Sequence, residues 1–181
     1  LRMRLSTRGV AGVAEIERTR ERERPPIKQT TYELEVAFRR ERAERNEHGP
    51  IVIRMKDREE VVERQGRVRF YLQPRTYTDT PLQMWSVFTH EIRTKSGRHR
   101  HQGGVLIYVL RGKGYSIVEG ERVDWSKGDL VLLPMREGGI EHQHFNLDTE
   151  PSVWAAFIHY PTMEHLASGL EHTENSPEYK E

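Results

Sequence analysis

From residue 51 onward the apolar positions come in short runs. "IVIRM", "VRFYLQ", "QMWSVFTHEI", "VLIYVLRG", "GYSIVEG", "ERVDW", "DLVLLP", "HQHFNL" and "SVWAAFIHY" are rich in β-branched and aromatic residues. Turn signals separate them: Ser96-Gly97, Gly103-Gly104, Gly112-Lys113-Gly114, Glu119-Gly120, Lys127-Gly128 and Gly138-Gly139. Many short strands at such spacing predict an all-β sandwich or barrel. Alternate residues of a strand share a face, so Val105, Ile107 and Val109 are candidates for one apolar wall. Arg111 has the same parity and is expected to point inward with them.

Upstream the period changes. In "TTYELEVAFRRERAERNEHGP", Thr30 and Glu33 make a capping-box pattern, and Leu34, Ala37 and Phe38 share a helical face. Gly49-Pro50 is a stop signal. The pattern predicts a helix near residues 30–46, packed on the outside of the main domain or on a second subunit. Residues 17–24, "ERTRERER", alternate in sign without an apolar stripe and precede Pro25-Pro26. They read as a solvated arm or a frayed helix. After Tyr160-Pro161, "TMEHLASGLEH" predicts a short helix, and "TENSPEYKE" a disordered tail. The expected organisation is therefore 1–50 charged arm and helix, 51–165 β-barrel, and 166–181 C-terminal tail. There is no internal repeat.

Composition narrows the function classes. A length of 181 residues fits one domain with some extra chain. The 29 basic and 28 acidic residues nearly balance, which gives no case for nucleic acid as partner. There is no cysteine, hence no disulfide framework, thiolate nucleophile or Cys-type zinc site. A cytoplasmic location is compatible with this and is the expectation. The apolar runs are far too short to span a membrane as helices. The first residues lack the continuous apolar segment of a secretory signal, and their acidic residues argue against a transit peptide.

The chemistry gathers in two histidine pairs, His99/His101 and His142/His144. Each pair sits at i, i+2 on a predicted strand, so its members project together. If both strands line one barrel, the pairs converge, and imidazole suits iron, zinc, copper and nickel. Competing motifs fail. "HEIRT" has Thr94 where a His-Glu-x-x-His motif needs its second histidine, and "GKG" lacks the later glycine of a dinucleotide loop.

Residues 88–160 resemble a cupin, the small β-barrel family of double-stranded β-helix or jelly-roll form. His99 and His101 fill the histidine slots of the first cupin motif and Gly112 its last glycine. Gly128, Pro134, His142 and Asn146 keep the spacings of the second motif. The resemblance implies a cupin barrel carrying an N-terminal helical extension. There are departures: Arg93 stands in the first glycine slot, and "PMREGGIEH" lengthens the loop before the third histidine. Val105 occupies the glutamate-ligand slot seven residues before Gly112. Gln102 lies nearby, with a turn or supporting role favoured over weak ligation through its carbonyl oxygen.

Histidines without that glutamate are similar to the gentisate 1,2-dioxygenases and the related salicylate and hydroxynaphthoate dioxygenases. The resemblance implies Fe(II) held by His99, His101 and His142, with Mn(II), Zn(II) and Ni(II) as alternative metals. It leaves His144 either supporting a ligand beside the metal or facing substrate. Three neutral imidazoles leave the ion its full charge and an open face, which suits an anionic, chelating aromatic substrate and O2. A substrate carboxylate calls for an arginine. Arg93, Arg98, Arg100, Arg111 and Arg136 are candidates, with Arg111 foremost by parity. Trp85, Phe145, Trp154 and Phe157 are large enough to stack on a ring, though core packing is their ordinary role. His90, His159 and His165 are candidates for extra polar lining, against surface or satisfied-core roles. Cupins also support metal-dependent isomerases or lyases acting on sugars or small acids, and non-enzymatic ligand-binding proteins. The family habit of pairing through sheets implies a homodimer.

Overall fold

The computed structural model describes residues 28–165 and 169–180; the "ERTRERER" stretch lies outside them. The strands are β1 (Glu60–Glu63), β2 (Gly66–Leu72), β3 (Trp85–Ile92), β4 (Arg98–His101), β5 (Val105–Arg111) and β6 (Lys113–Val118). They continue as β7 (Glu121–Ser126), β8 (Leu130–Leu133), β9 (Ile140–Asn146), β10 (Ser152–His159) and β11 (Leu170–Glu174). They form a six-stranded sheet in the order β1-β2-β3-β10-β5-β8 and a five-stranded sheet in the order β11-β4-β9-β6-β7. All strand pairings are antiparallel. This is the all-β architecture that the short alternating runs predict, preceded by a helix.

Alternation decides which side chains enter the barrel. Along β5, Val105, Ile107 and Val109 are buried while Leu106, Tyr108 and Leu110 are exposed. Along β3, Ser86, Phe88, His90 and Ile92 are buried. Val105, Ile107 and Phe88 meet Ile140 and Trp154 in one apolar cluster. Burying an aliphatic or aromatic side chain stabilises the fold by about 1.5–3 kcal/mol.

One glycine fixes the loop that leaves β4. Gly103 has φ +86°, and a Cβ there would stand 1.9 Å from the Pro134 carbonyl oxygen. Both the left-handed backbone and the close approach exclude a side chain. Gly103→Ala is expected to destabilise the protein by at least about 2 kcal/mol, read as a lowered thermal midpoint. An unchanged midpoint would mean that this loop is free to rearrange.

Three segments differ from expectation or extend it. The helix α1 (Thr31–His48) begins on the capping box: Thr30 N–H donates to Glu33 Oε2 at 2.6 Å, and Glu33 N–H to Thr30 Oγ1 at 3.3 Å. Leu34 and Phe38 are exposed, and no residue of the helix is buried. "IVIRM" forms no strand. Ile51 and Val52 are exposed, and a 3-10 turn follows at Met55–Asp57. Ile51 and Ile53 instead border a pocket with Tyr71, Leu72 and Val87. β11 overturns two expectations: Leu170, Glu171 and His172 were expected to close the short helix and Thr173 and Glu174 to open the disordered tail, but Leu170–Glu174 pairs with β4 in the register Leu170↔His101 and His172↔His99. Before it, α2 (Tyr160–His165) meets only the first part of the helix expected over 162–172 and begins two residues earlier, with Pro161 in its first turn, where a missing N–H costs nothing.

Candidate metal centre

The two histidine pairs converge because β4 and β9 are direct neighbours. His99 lies opposite His142 in the antiparallel register, and His101 opposite Ile140. Parity then turns His99, His101, His142 and His144 to the same interior face, and all four are buried. One ring nitrogen from each of His99, His101 and His142 lies within 4.8 Å of the others. The ring centroids of His99 and His142 are 4.2 Å apart, those of His101 and His142 4.8 Å. His144 stands one step further along β9, its ring 5.3 Å from that of His142.

Burial sets the charge of these rings. It pushes the His99 pKa down to about 3, aided by the neighbouring His101 and His172, and the His101 pKa down to about 4. Burial likewise holds His142 and His144 well below the usual imidazole range, His142 with help from His99 and His144 with help from His90. All four are neutral at pH 7 and carry a lone pair. His142 Nδ1–H donates to the Ile140 carbonyl at 3.2 Å, which leaves Nε2 free as an acceptor. Gly103 N–H reaches His101 Nδ1 at 3.1 Å and holds that ring at the loop. His99 Nδ1 is buried without a hydrogen-bond partner. A cluster of neutral imidazoles with an unmet buried nitrogen fits a divalent cation.

His144 is held differently. Its Nδ1 is 2.7 Å from Ser116 Oγ, which also accepts a hydrogen bond from Trp125 Nε1 at 3.0 Å. Ser116 is fully buried on β6, opposite His144 in the register of β6 and β9. Neither Ser116 nor Trp125 carries a motif signal in the sequence.

A cavity of about 580 Å³ opens over the cluster. His99, His101, His142 and His144 line one end, and Val105, Ile107, Leu133 and Trp154 supply apolar wall. Val105 and Ile107 thus form the wall that alternation predicts. Of the other aromatic candidates, Phe145 stacks on Tyr115 with centroids 4.6 Å apart, Phe157 is partly exposed, and Trp85 packs beside His159.

Arg111 does not join the cavity. The register between β10 and β5 shifts at Val153/Trp154, so that Leu110 and Arg111 are both exposed. A bulge of this kind inverts side-chain parity beyond it. Arg111 bonds the Pro151 carbonyl at 3.1 Å and lies 3.9 Å from Glu91. Arg93, Arg98, Arg100 and Arg136 are likewise ion-paired, to Glu91, Glu174, Glu119 and Glu119. The arginines that line the cavity are Arg64 and Arg75.

Other polar groups complete the surroundings. Gln102 is buried; its Nε2 donates to the Met163 carbonyl, and its Oε1 has no partner. His90 is buried edge-on to Trp154, with centroids 4.7 Å apart and neither ring nitrogen hydrogen-bonded. His159 bonds Thr162 Oγ1 at 2.8 Å, and His165 is exposed. His172 stacks on His99 with centroids 5.1 Å apart and planes 18° from parallel. The alternation of Leu170, His172 and Glu174 is the one trace of its strand in the sequence.

Comparison with known proteins agrees with this geometry. Residues 86–159 match the cupin domain family. A gentisate 1,2-dioxygenase from Ralstonia sp is 33% identical over 69 residues, covering 38% of this chain and 19% of that protein. An acireductone dioxygenase from Phaeosphaeria nodorum is 30% identical over 87 residues, covering 45% of this chain and 48% of that protein. The matches thus span less than half the length of either relative. A variant of Streptomyces PAC13, solved with uridine, superposes with a TM-score of 0.51 at 12% identity over 70% of this chain and 92% of that one. Motif spacing, strand topology and the family match converge on one part of the chain: residues 86–159 form a cupin domain.

Proposed function

We propose that this cupin holds Fe(II) on His99, His101 and His142 and cleaves an anionic aromatic hydroxy acid, or a similar bidentate chelating substrate, with O2. The observation that carries this reading is the donor set. Three neutral buried histidines converge while Val105, an apolar residue, stands where a fourth carboxylate ligand would be. That combination suits an ion with an open face toward the cavity. The relative named as gentisate 1,2-dioxygenase supports the same class.

The ion, when bound, supplies Lewis acidity and redox chemistry; the chain supplies the rest. Trp154, Val105, Ile107 and Leu133 flank the substrate ring and keep water away. Ser116 Oγ accepts from Trp125 and has a second lone pair for Nδ1–H of His144. That tautomer frees the His144 Nε2 lone pair to take the phenolic proton. The expected result is a new visible absorbance band when salicylate or gentisate is added anaerobically to Fe(II)-loaded protein, then O2 consumption on admitting air. Retained metal with no O2 uptake across a panel of hydroxy-aromatic acids would overturn the dioxygenase reading and favour redox-silent isomerase or lyase chemistry.

A further inference from the structure

The cupin match ends at residue 159, but the cavity extends beyond it. Its outer lining includes Glu63, Arg64 and Gln65 at the β1–β2 turn, Leu170 and His172 on β11, and Tyr179 after it. Two backbone bonds fix that turn: Ser176 N–H donates to the Arg64 carbonyl at 2.8 Å, and Gly97 N–H to the Gln65 carbonyl at 2.9 Å. The Arg64 guanidinium lies over the Tyr179 ring, 5.7 Å from its centroid. Arg64 and His172 line the same cavity. His172 in turn stacks on His99. Arg64 is therefore exposed at the cavity mouth, one ring removed from the histidine cluster.

Among the described residues no carboxylate forms an ion pair with Arg64, whereas the cavity's other arginine, Arg75, bonds Glu164 at 2.6 Å. The cavity volume of about 580 Å³ is also that of a site for a ligand larger than one chelating ring. A guanidinium fork held at such a mouth matches a carboxylate bidentately.

We propose that Arg64 is a specificity-determining residue that receives an anionic group carried by the substrate on the side remote from its chelating end. The inference rests on the reading of His99, His101 and His142 as the chelating site. Its test measures binding alone. Salicylate and 5-carboxysalicylate, which differ by one remote carboxylate, are titrated into Zn(II)-loaded protein and followed by tryptophan fluorescence. Wild type is expected to bind 5-carboxysalicylate about tenfold more tightly than salicylate. Arg64→Gln should bring the two to parity with salicylate affinity unchanged, and Arg64→Lys should retain part of the preference. The inference is overturned if wild type shows no preference, including no binding of either compound, or if the preference survives in Arg64→Gln. Zn(II) is redox-silent, so a failed oxygen assay with Fe(II) would sink the dioxygenase reading and leave this result standing.

Discussion

His142→Ala is expected to abolish metal retention, whereas His144→Ala keeps the metal and loses most turnover. The two residues are neighbours on one face of β9, and both are buried and neutral, so burial does not separate them. Position and partners do. His142 lies opposite His99 in the strand register and packs against both His99 and His101. Its Nδ1–H is taken by the Ile140 carbonyl, which leaves Nε2 for an ion. His144 lies beyond the cluster, tied by Nδ1 to Ser116 and set against Trp154 at 5.1 Å between centroids. Changes in groups that only support a metal cost about 10–100-fold in affinity. Loss of one of three ligands should exceed that, and His144→Ala should stay within about tenfold. The turnover loss in His144→Ala should be about 100-fold or more if it moves a proton. Metal content after dialysis against a weak chelator, measured beside O2 uptake, separates the cases. Equal metal loss in both variants would overturn the ligand assignment. Ser116→Ala supplies a further readout: a merely structural serine would lower stability without moving the pH profile of turnover.

The parts of this site that were legible in the sequence follow from period-two alternation. His99/His101 and His142/His144 announce themselves because a strand needs only local spacing to aim two side chains together. The wall of Val105 and Ile107 was readable for the same reason. The parts that were not legible depend on pairing between distant segments. Arg111 has the right parity locally, but the register slip beside Val153 turns it outward. No property of "VLIYVLRG" alone encodes that slip. His172 and Arg64 reach the cavity only because β11 adds to β4 and because the β1–β2 turn is bonded to the segment after β11. Both lie outside the cupin motifs, in stretches whose polar composition reads as surface. "LEHTE" alternates, but with one apolar member it carries little weight against the helix read over its first three residues and the tail read over its last two. The helix before the barrel was readable from its capping box, since that signal is confined to neighbouring residues.

Metal-free protein is expected to unfold in mild acid, near pH 5.5. His90 and His99 are held at a pKa of about 3, His101 at about 4, and His142 and His144 well below the ordinary value, in every case chiefly by burial. Each folded-state pKa is depressed while the unfolded chain keeps about 6.5. For a base, this means that both states are neutral above pH 6.5 and nothing is lost there. Below it the unfolded chain takes up protons that the folded one refuses, so stability falls as the pH falls. Each ring contributes about 1.4 kcal/mol per pH unit until its folded pKa is reached. Five independent rings would together remove about 7 kcal/mol at pH 5.5, an upper figure comparable with the whole stability of a small domain. A bound divalent ion opposes this, because ligand rings cannot be protonated while they hold it. Urea unfolding followed at pH 7.5, 6.5, 6.0 and 5.5 should therefore show a steep decline in the metal-free protein and a delayed one in the loaded protein. A flat profile in the metal-free protein would mean that these rings are open to water. Identical profiles with and without metal would mean that the ion does not sit on them.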